Sequence, residues 1–417
     1  HFYIIMFRAG LGYTYNFNNH FSTTTTVFSS GVTNDASSAG GWTDKNPINY
    51  GFRSTLDTKF DLKNGVSISG ITGIESQRQN AQIIGYNMVA NPADANAYWI
   101  IGAMKSNQST ITGTTSVFTE WTLSLPYDLS VTAGIGLSNM SIQLDDKFYV
   151  AGNTNPTRFA TKYNGLVSPH VAINKVFSKQ FSVYASYSKG YKAPVSSYFF
   201  IPATGKLNTD LKPETGNQFE IGTKGSLLND RLSYQLALFS ATFSDKMTAI
   251  AVPLNGSTTT TAYTYVANGG KQVDKGIELL VKYTAYQSNT NFFKTIRPFA
   301  NLAYSDFKYV ALSFQTLNAA RTAAVVTDYD GKAVAGVAPY TANIGVDITT
   351  KPGIYANLVY SYKDGMPISS DGLNSATSYS LLNTKFGFQR SLSAHCDLDV
   401  FFGINNITGV QYPYMVF

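Results

Sequence analysis

Charge is what this chain most lacks. Of its 417 residues only 13% are Asp, Glu, Lys or Arg, about half the share in an ordinary globular protein. So little charge does not coat the surface of a soluble domain of this size. Cysteine is nearly absent: the single Cys396 excludes a disulfide scaffold and a cysteine-based metal centre. No stretch approaches the roughly eighteen consecutive apolar residues of a membrane helix, and the apolar start Phe2 to Phe7 lacks the flanks of a signal peptide. The formal net charge of +6 is modest and no Lys/Arg block occurs, so nucleic acid is not expected as a partner. The histidines His1, His20, His170 and His395 are scattered. No Gly-x-Ser-x-Gly elbow occurs, and Gly269-Gly270-Lys271 lacks the spacing of a phosphate loop and reads as a turn.

Aromatic side chains are plentiful, with 28 Tyr and 27 Phe, and they alternate with polar residues. Phe52, Leu56 and Phe60 share one strand face while Arg53, Asp57 and Lys59 share the other. Leu129, Val131, Ala133, Ile135 and Leu137 alternate with Ser130, Thr132, Gly134, Gly136 and Ser138. Ile277, Leu279, Val281 and Tyr283 do so with Glu278, Lys282 and Thr284, and Leu398, Val400, Phe402 and Ile404 with Asp397, Asp399 and Asn405. Period two is the strand signature. Not every segment is clean: 298–307 fits either register. Roughly sixteen such segments occur, most near the ten residues with which a tilted strand crosses a bilayer. Short turns, such as those at Asn18-Asn19, Pro126-Tyr127 and Leu228 to Asp230, alternate with long polar connections at 31–49, 76–107, 143–160, 189–217, 245–273, 308–337 and 364–377. The pattern predicts an all-β, transmembrane antiparallel barrel, because such barrels have short turns on the periplasmic side and long loops outside. A soluble sandwich or adhesin array would not need one end of every hairpin to be short.

The stretch from Tyr187 to Ser244 carries Tyr191-Lys192-Ala193-Pro194, then Asn208 to Glu214 with Leu211, Pro213 and Glu214, then Phe219-Glu220-Ile221-Gly222. Downstream come Asn268-Gly269-Gly270, Gly276-Ile277-Glu278, and the terminal run with Asn405, Asn406 and Tyr412. This succession resembles the C-terminal barrel of TonB-dependent outer-membrane receptors. The resemblance is specific from about Phe181 to Tyr412 and rests on barrel character before that. It implies a barrel of about twenty-two strands around an N-terminal plug. Residues 1–417 then form a partial barrel, with the plug, about five first strands and the last strand outside the sequence at hand. Glu278 has lumenal parity; the resemblance implies pairing with a plug arginine, while the residues alone fit a solvated lumenal charge equally. His170 shares that parity and reads as a hydrogen-bonded lining residue.

Candidate ligand contacts lie in the long connections: Tyr86, Tyr98, Trp99 and Lys105; Arg158; Tyr191, Lys192, Tyr198, Phe199 and Phe200; Tyr263, Tyr265 and Lys271; Arg321 and Tyr329. Aromatic faces with a few cations suit an anionic or catecholate metal chelate, and the same aromatics also suit the interfacial girdle of any such barrel. The resemblance implies an outer-membrane receptor of a Gram-negative bacterium, not an enzyme, taking up a ferric siderophore or similar iron chelate with energy from the TonB-ExbB-ExbD complex. The residues 360–367 also look most like an iron-chelate receptor. No resident cofactor or metal is expected, and a surface lipoprotein or larger outer-membrane complex is a conceivable partner. A passive porin-like channel and a structural or adhesive outer-membrane protein are the alternatives. A hydrolase is a more distant one, since catalytic triads need no fixed sequence order.

Overall fold

The computed structural model describes residues 2–38, 41–93, 99–148, 157–195, 198–201, 206–208, 210–253, 261–317, 324–370, 372–394 and 396–412. Sixteen long strands run in chain order: β1 Phe2–Asn16, β2 Phe21–Ser38, β3 Gly41–Asp61, β4 Ser67–Val89, β5 Ile100–Leu125, β6 Leu129–Asp146, β7 Arg158–Ser178 and β8 Phe181–Lys192. They continue as β9 Glu214–Leu227, β10 Leu232–Ser244, β11 Lys271–Tyr283, β12 Phe293–Val310, β13 Tyr340–Thr350, β14 Ile354–Lys363, β15 Tyr379–Ser393 and β16 Cys396–Ile404. Each pairs antiparallel with the next, and with the two-residue segment Tyr286–Gln287 they make one 17-stranded sheet. Additional short hairpins, among them Met247–Pro253 with Thr261–Asn268 and Ser313–Leu317 with Ala324–Asp328, stand on the long connections.

The short turns fall where alternation places them, all at one end of the sheet. Leu228, Asn229 and Asp230 take the left-handed conformation, at φ 56, 56 and 63°, so β9 reverses directly into β10. The other end differs from expectation. Residues 31–49 and 76–107 are not polar loops but mainly strand: β2 and β3 leave only 39–40 between them, and β3, β4 and β5 reach 21, 23 and 26 residues. The ten-residue strand length therefore holds only for the membrane-crossing part. Above the bilayer both faces of a hairpin meet water, so hydrophobic alternation fades while the backbone ladder continues through Thr, Ser, Asn and Gln. The sequence signal vanished there, not the strand.

Register separates two faces. Ile74, Val117, Leu137 and Val167 form one row across β4 to β7, all exposed apolar side chains. The alternate parity carries Glu120, Gly134, His170, Ser188 and Gln218 in one row from β5 to β9. Apolar outside and polar inside is the pattern of a transmembrane barrel wall. Residues 298–307 resolve the same way: Leu302 and Tyr304 pair with Leu279 and Ile277 on the apolar face, and Asn301 with Asn343 on the polar face.

On the polar face, several aromatic rings lie across a glycine of the neighbouring strand. A Cβ at Gly222 would sit 2.5 Å from the Tyr184 ring and one at Gly73 2.6 Å from Phe118; Gly276 lies under Phe239 and Gly387 under Tyr355 in the same manner. The ring takes the volume that a neighbouring side chain would fill, supplying packing that glycine in a strand otherwise lacks. Buried apolar clusters lie instead at the long-connection end: Ile142, Phe159, Phe199 and Leu211 form one, and Tyr309, Leu312, Tyr329 and Val334 another.

Candidate functional site

The first cluster is built by the Asn208 to Glu214 segment. Leu211, 3% exposed, enters the group of Ile142, Phe159 and Phe199, flanked by Tyr163, Tyr198, Met247 and Val266. Phe159 and Phe199 stack at 5.1 Å. Three long connections thus converge on one leucine. Backbone polar groups buried beside it must be satisfied, and side chains satisfy them. Tyr163 Oη donates to the Leu211 carbonyl at 2.6 Å, and burial pushes its phenol up to about 12. Asn208 Nδ2 donates to the Tyr198 carbonyl at 3.1 Å and also to that of Val266. Asn268 accepts from the Lys212 amide at 2.7 Å and donates to the carbonyls of Lys212, at 2.9 Å, and Asp245, at 2.7 Å.

Glu214 closes the clamp. Its carboxylate is 6% exposed, accepts the Met247 amide at 2.7 Å and lies 3.4 Å from Lys192 Nζ. Pro213 precedes it without an amide hydrogen to satisfy, and Pro194, also buried, leads the chain off β8. The YKAP and LKPE segments are therefore the two sides of a brace that fixes the Met247–Asn268 hairpin over the barrel mouth.

The other candidates spread around the rim. Tyr86 sits opposite Trp42; Asp44 accepts the Trp42 indole at 2.6 Å, and burial together with Asp44 raises the Tyr86 phenol. Trp99 is exposed. Arg158 pairs with Asp145 at 2.9 Å. Tyr191 has the parity of the apolar face, with the Lys189 ammonium 5.1 Å from its ring centroid. Lys192 has the lumenal parity and goes to Glu214. Tyr198 packs against the Leu211 cluster and Tyr265 is half-buried in its hairpin. Tyr329 is buried in the second cluster. His1, Tyr98, Arg321 and His395 lie outside the described residues, as do the side chains of Phe200 and Tyr263. The structure brings Tyr198 and Lys192 to the brace and leaves Tyr86 and Arg158 on separate outward-facing hairpins.

Down the lumen wall, Glu220 accepts Tyr184 Oη at 2.8 Å, Gly222 and Gly276 carry the rings above them, and Glu278 is exposed opposite Ala237 and Ala303. His170 Nδ1 lies 2.8 Å from Glu120 Oε2, reaching over Gly134 on the strand between. Arg53–Glu75 at 3.3 Å and Arg297–Asp347 at 3.7 Å add further lumenal pairs. After β16, Asn405 is exposed and begins the turn. Asn406, at φ 53°, donates its side-chain amide to the Val410 carbonyl and accepts that residue's amide, while Tyr412 stacks on Tyr379 at 4.8 Å. Sequence reading missed Tyr163, Glu120, Asp44 and Trp42. Of these only Glu120, a lone carboxylate of lumenal parity like His170, carried a local signal.

Comparison with known proteins agrees with this construction. Residues 5–407 match the family described as TonB dependent receptor-like, beta-barrel. The catecholate siderophore receptor Fiu of Escherichia coli K12 is 28% identical over 195 residues, 40% of this chain and 26% of that receptor. The ferripyoverdine receptor of Pseudomonas aeruginosa is 32% identical over 130 residues, 31% of this chain and 15% of that one. The chain thus matches about a quarter or less of these relatives' length. Among solved structures, the ferric citrate transporter FecA superposes with a TM-score of 0.75 at 15% identity, covering 99% of this chain and 58% of FecA. The siderophore receptor PiuA of Acinetobacter baumannii gives 0.74 at 15%, covering 97% of this chain and 60% of PiuA. Strand order, the two-faced wall and the braced rim thus coincide with a match along almost the whole sequence, and the chain belongs to the TonB-dependent receptor β-barrel family.

Proposed function

We propose that this chain forms the barrel wall of a Gram-negative outer-membrane receptor that takes up a ferric siderophore or similar iron chelate, drawing energy from TonB-ExbB-ExbD. The observation that carries the reading is the Glu214 brace, in which a buried carboxylate accepts the Met247 amide and fixes a loop hairpin at the mouth. The likeness to a catecholate siderophore receptor supports the choice of ligand. In this reading Tyr and Trp faces at the rim stack on the chelate's rings, and lysine and arginine side chains meet its charge. In the same reading the lumenal carboxylates Glu120, Glu220 and Glu278 face a plug supplied by a longer chain, which also supplies the strands that complete the barrel. No bond of the solute is made or broken.

Uptake of radiolabelled ferric catecholate into cells lacking their own receptors tests this. Uptake that requires both this protein and TonB supports it. Uptake that persists without TonB, with sugar permeation in liposomes, would replace it by a passive channel; neither activity would leave a structural outer-membrane role.

A further inference from the structure

On the apolar face of β4 to β7 two concavities lie one above the other. The lower is lined by Leu56, Ile74, Val117, Ile135, Leu137 and Val167 with threonines at its floor. The upper, toward the long-connection end, is lined by Arg78, Lys162, Ser141, Asn139, Thr115 and Gln143. Register explains the upper one. Tyr50, Arg78, Gly113, Ser141 and Lys162 form one row across β3 to β7. The two cations are three strand spacings, about 14 Å, apart, with only Gly113 and Ser141 between them. A Cβ at Gly113 would come within 3.0 Å of Ser141 Oγ, so glycine keeps the gap open. Arg78 Nε donates to Asn80 at 3.3 Å, leaving the rest of its guanidinium to the concavity. Among the described residues neither cation makes an ion pair; Asp145, the nearby carboxylate, is held by Arg158.

The apolar row Ile74, Val117, Leu137 and Val167 ends four residues below, so on a tilted strand the cationic row stands about 10 Å above it. The headgroup layer extends about 5–8 Å beyond the hydrocarbon on each side, so arginine and lysine side chains from this row reach down into it. We propose that this double concavity is a binding site for a phosphate-bearing lipid, its phosphate held between Arg78 and Lys162 with hydroxyl and amide donors from Ser141 and Asn139, and an acyl chain lying along Val117 and Leu137. A phosphate complements two unpaired cations around a small-residue gap, and the groove directly beneath selects a molecule that carries a chain. The inference rests on the outward face being lipid-facing, not on uptake.

Native mass spectrometry of the full-length protein in detergent tests it, with dioleoyl phosphatidic acid as probe, dioleoylglycerol as the control without phosphate and inorganic phosphate as the control without chains. Retention of phosphatidic acid should fall roughly fivefold in Arg78→Gln and in Lys162→Gln, and more than tenfold in the double variant. Lys275→Gln, which removes an outward cation elsewhere on the wall, should leave it unchanged. An unchanged double variant, equal retention of dioleoylglycerol, competition by inorganic phosphate at equal concentration, or an equal loss in Lys275→Gln would each overturn the site. Because no transport is measured, a protein that fails the iron-uptake test and still retains the lipid leaves this inference standing.

Discussion

Replacing Glu214 by alanine should loosen the rim without melting the wall. The carboxylate makes two contacts of unequal value. Lys192 is 71% exposed at the side chain, so that ion pair is screened by water and contributes at most about 1 kcal/mol. The Met247 amide, by contrast, donates at 2.7 Å to a buried oxygen, and a hydrogen bond to a charged group is worth about 1.5–3 kcal/mol. Glu214→Ala should therefore raise local opening of the Met247–Asn268 hairpin by about 10- to 150-fold. Glu214→Gln, which keeps an acceptor, should raise it several-fold, and Lys192→Ala less than about fivefold. Hydrogen exchange followed by mass spectrometry reads this directly: peptides covering 246–253 and 261–268 should lose protection while those of β4 and β5 keep theirs. The reasoning fails if Lys192→Ala matches Glu214→Ala, or if protection is lost across the wall and the hairpin together.

Gly222→Ala should be destabilising by about 1–3 kcal/mol, because its methyl group meets the Tyr184 ring; the temperature at which the folded barrel loses its compact mobility in detergent gels should drop, and adding Tyr184→Leu should restore part of it. A neutral single variant would refute the packing. Asp274, 7% exposed near the top of β11, has its carboxyl raised by burial, opposed by Gln272 and Lys246. The folded state thus holds this proton more tightly than the unfolded one. Local stability at the rim should fall as pH rises from about 4 through the raised value and level off above it. Asp274→Asn should remove that slope in pH-dependent exchange of β11; a slope unaltered by the substitution would assign it to another group.

How much of this was legible beforehand varied with distance along the chain. The faces of β3, β6, β11 and β16 were plain in single segments, because Phe52 against Arg53, or Ile277 against Glu278, reports a wall with lipid on one side. The hairpin extensions through 31–49 and 76–107 were not, since a strand wetted on both faces has the composition of a loop. The LKPE segment stood out as a family motif, but its role required partners 33 and 56 residues away, Met247 for Glu214 and Asn268 for Lys212. The Glu120–His170 contact needed more, the register of three strands and the knowledge that Gly134 leaves room between them. Local pattern reports which solvent a side chain meets; it does not report which side chain it touches.

The rings that lie across Gly73, Gly222, Gly276 and Gly387 have a consequence for passage. An aromatic side chain standing off the wall would narrow the bore and offer an edge to catch on, whereas one lying flat contributes only its thickness. Each glycine therefore acts as a recess that lets the channel carry many aromatic residues and still present low relief. Anything displaced along this surface, whether a segment of protein or a bulky solute, meets shallow, slippery plates separated by charged pairs. Filling one recess would act as a local constriction even in a barrel whose strands and stability were unchanged.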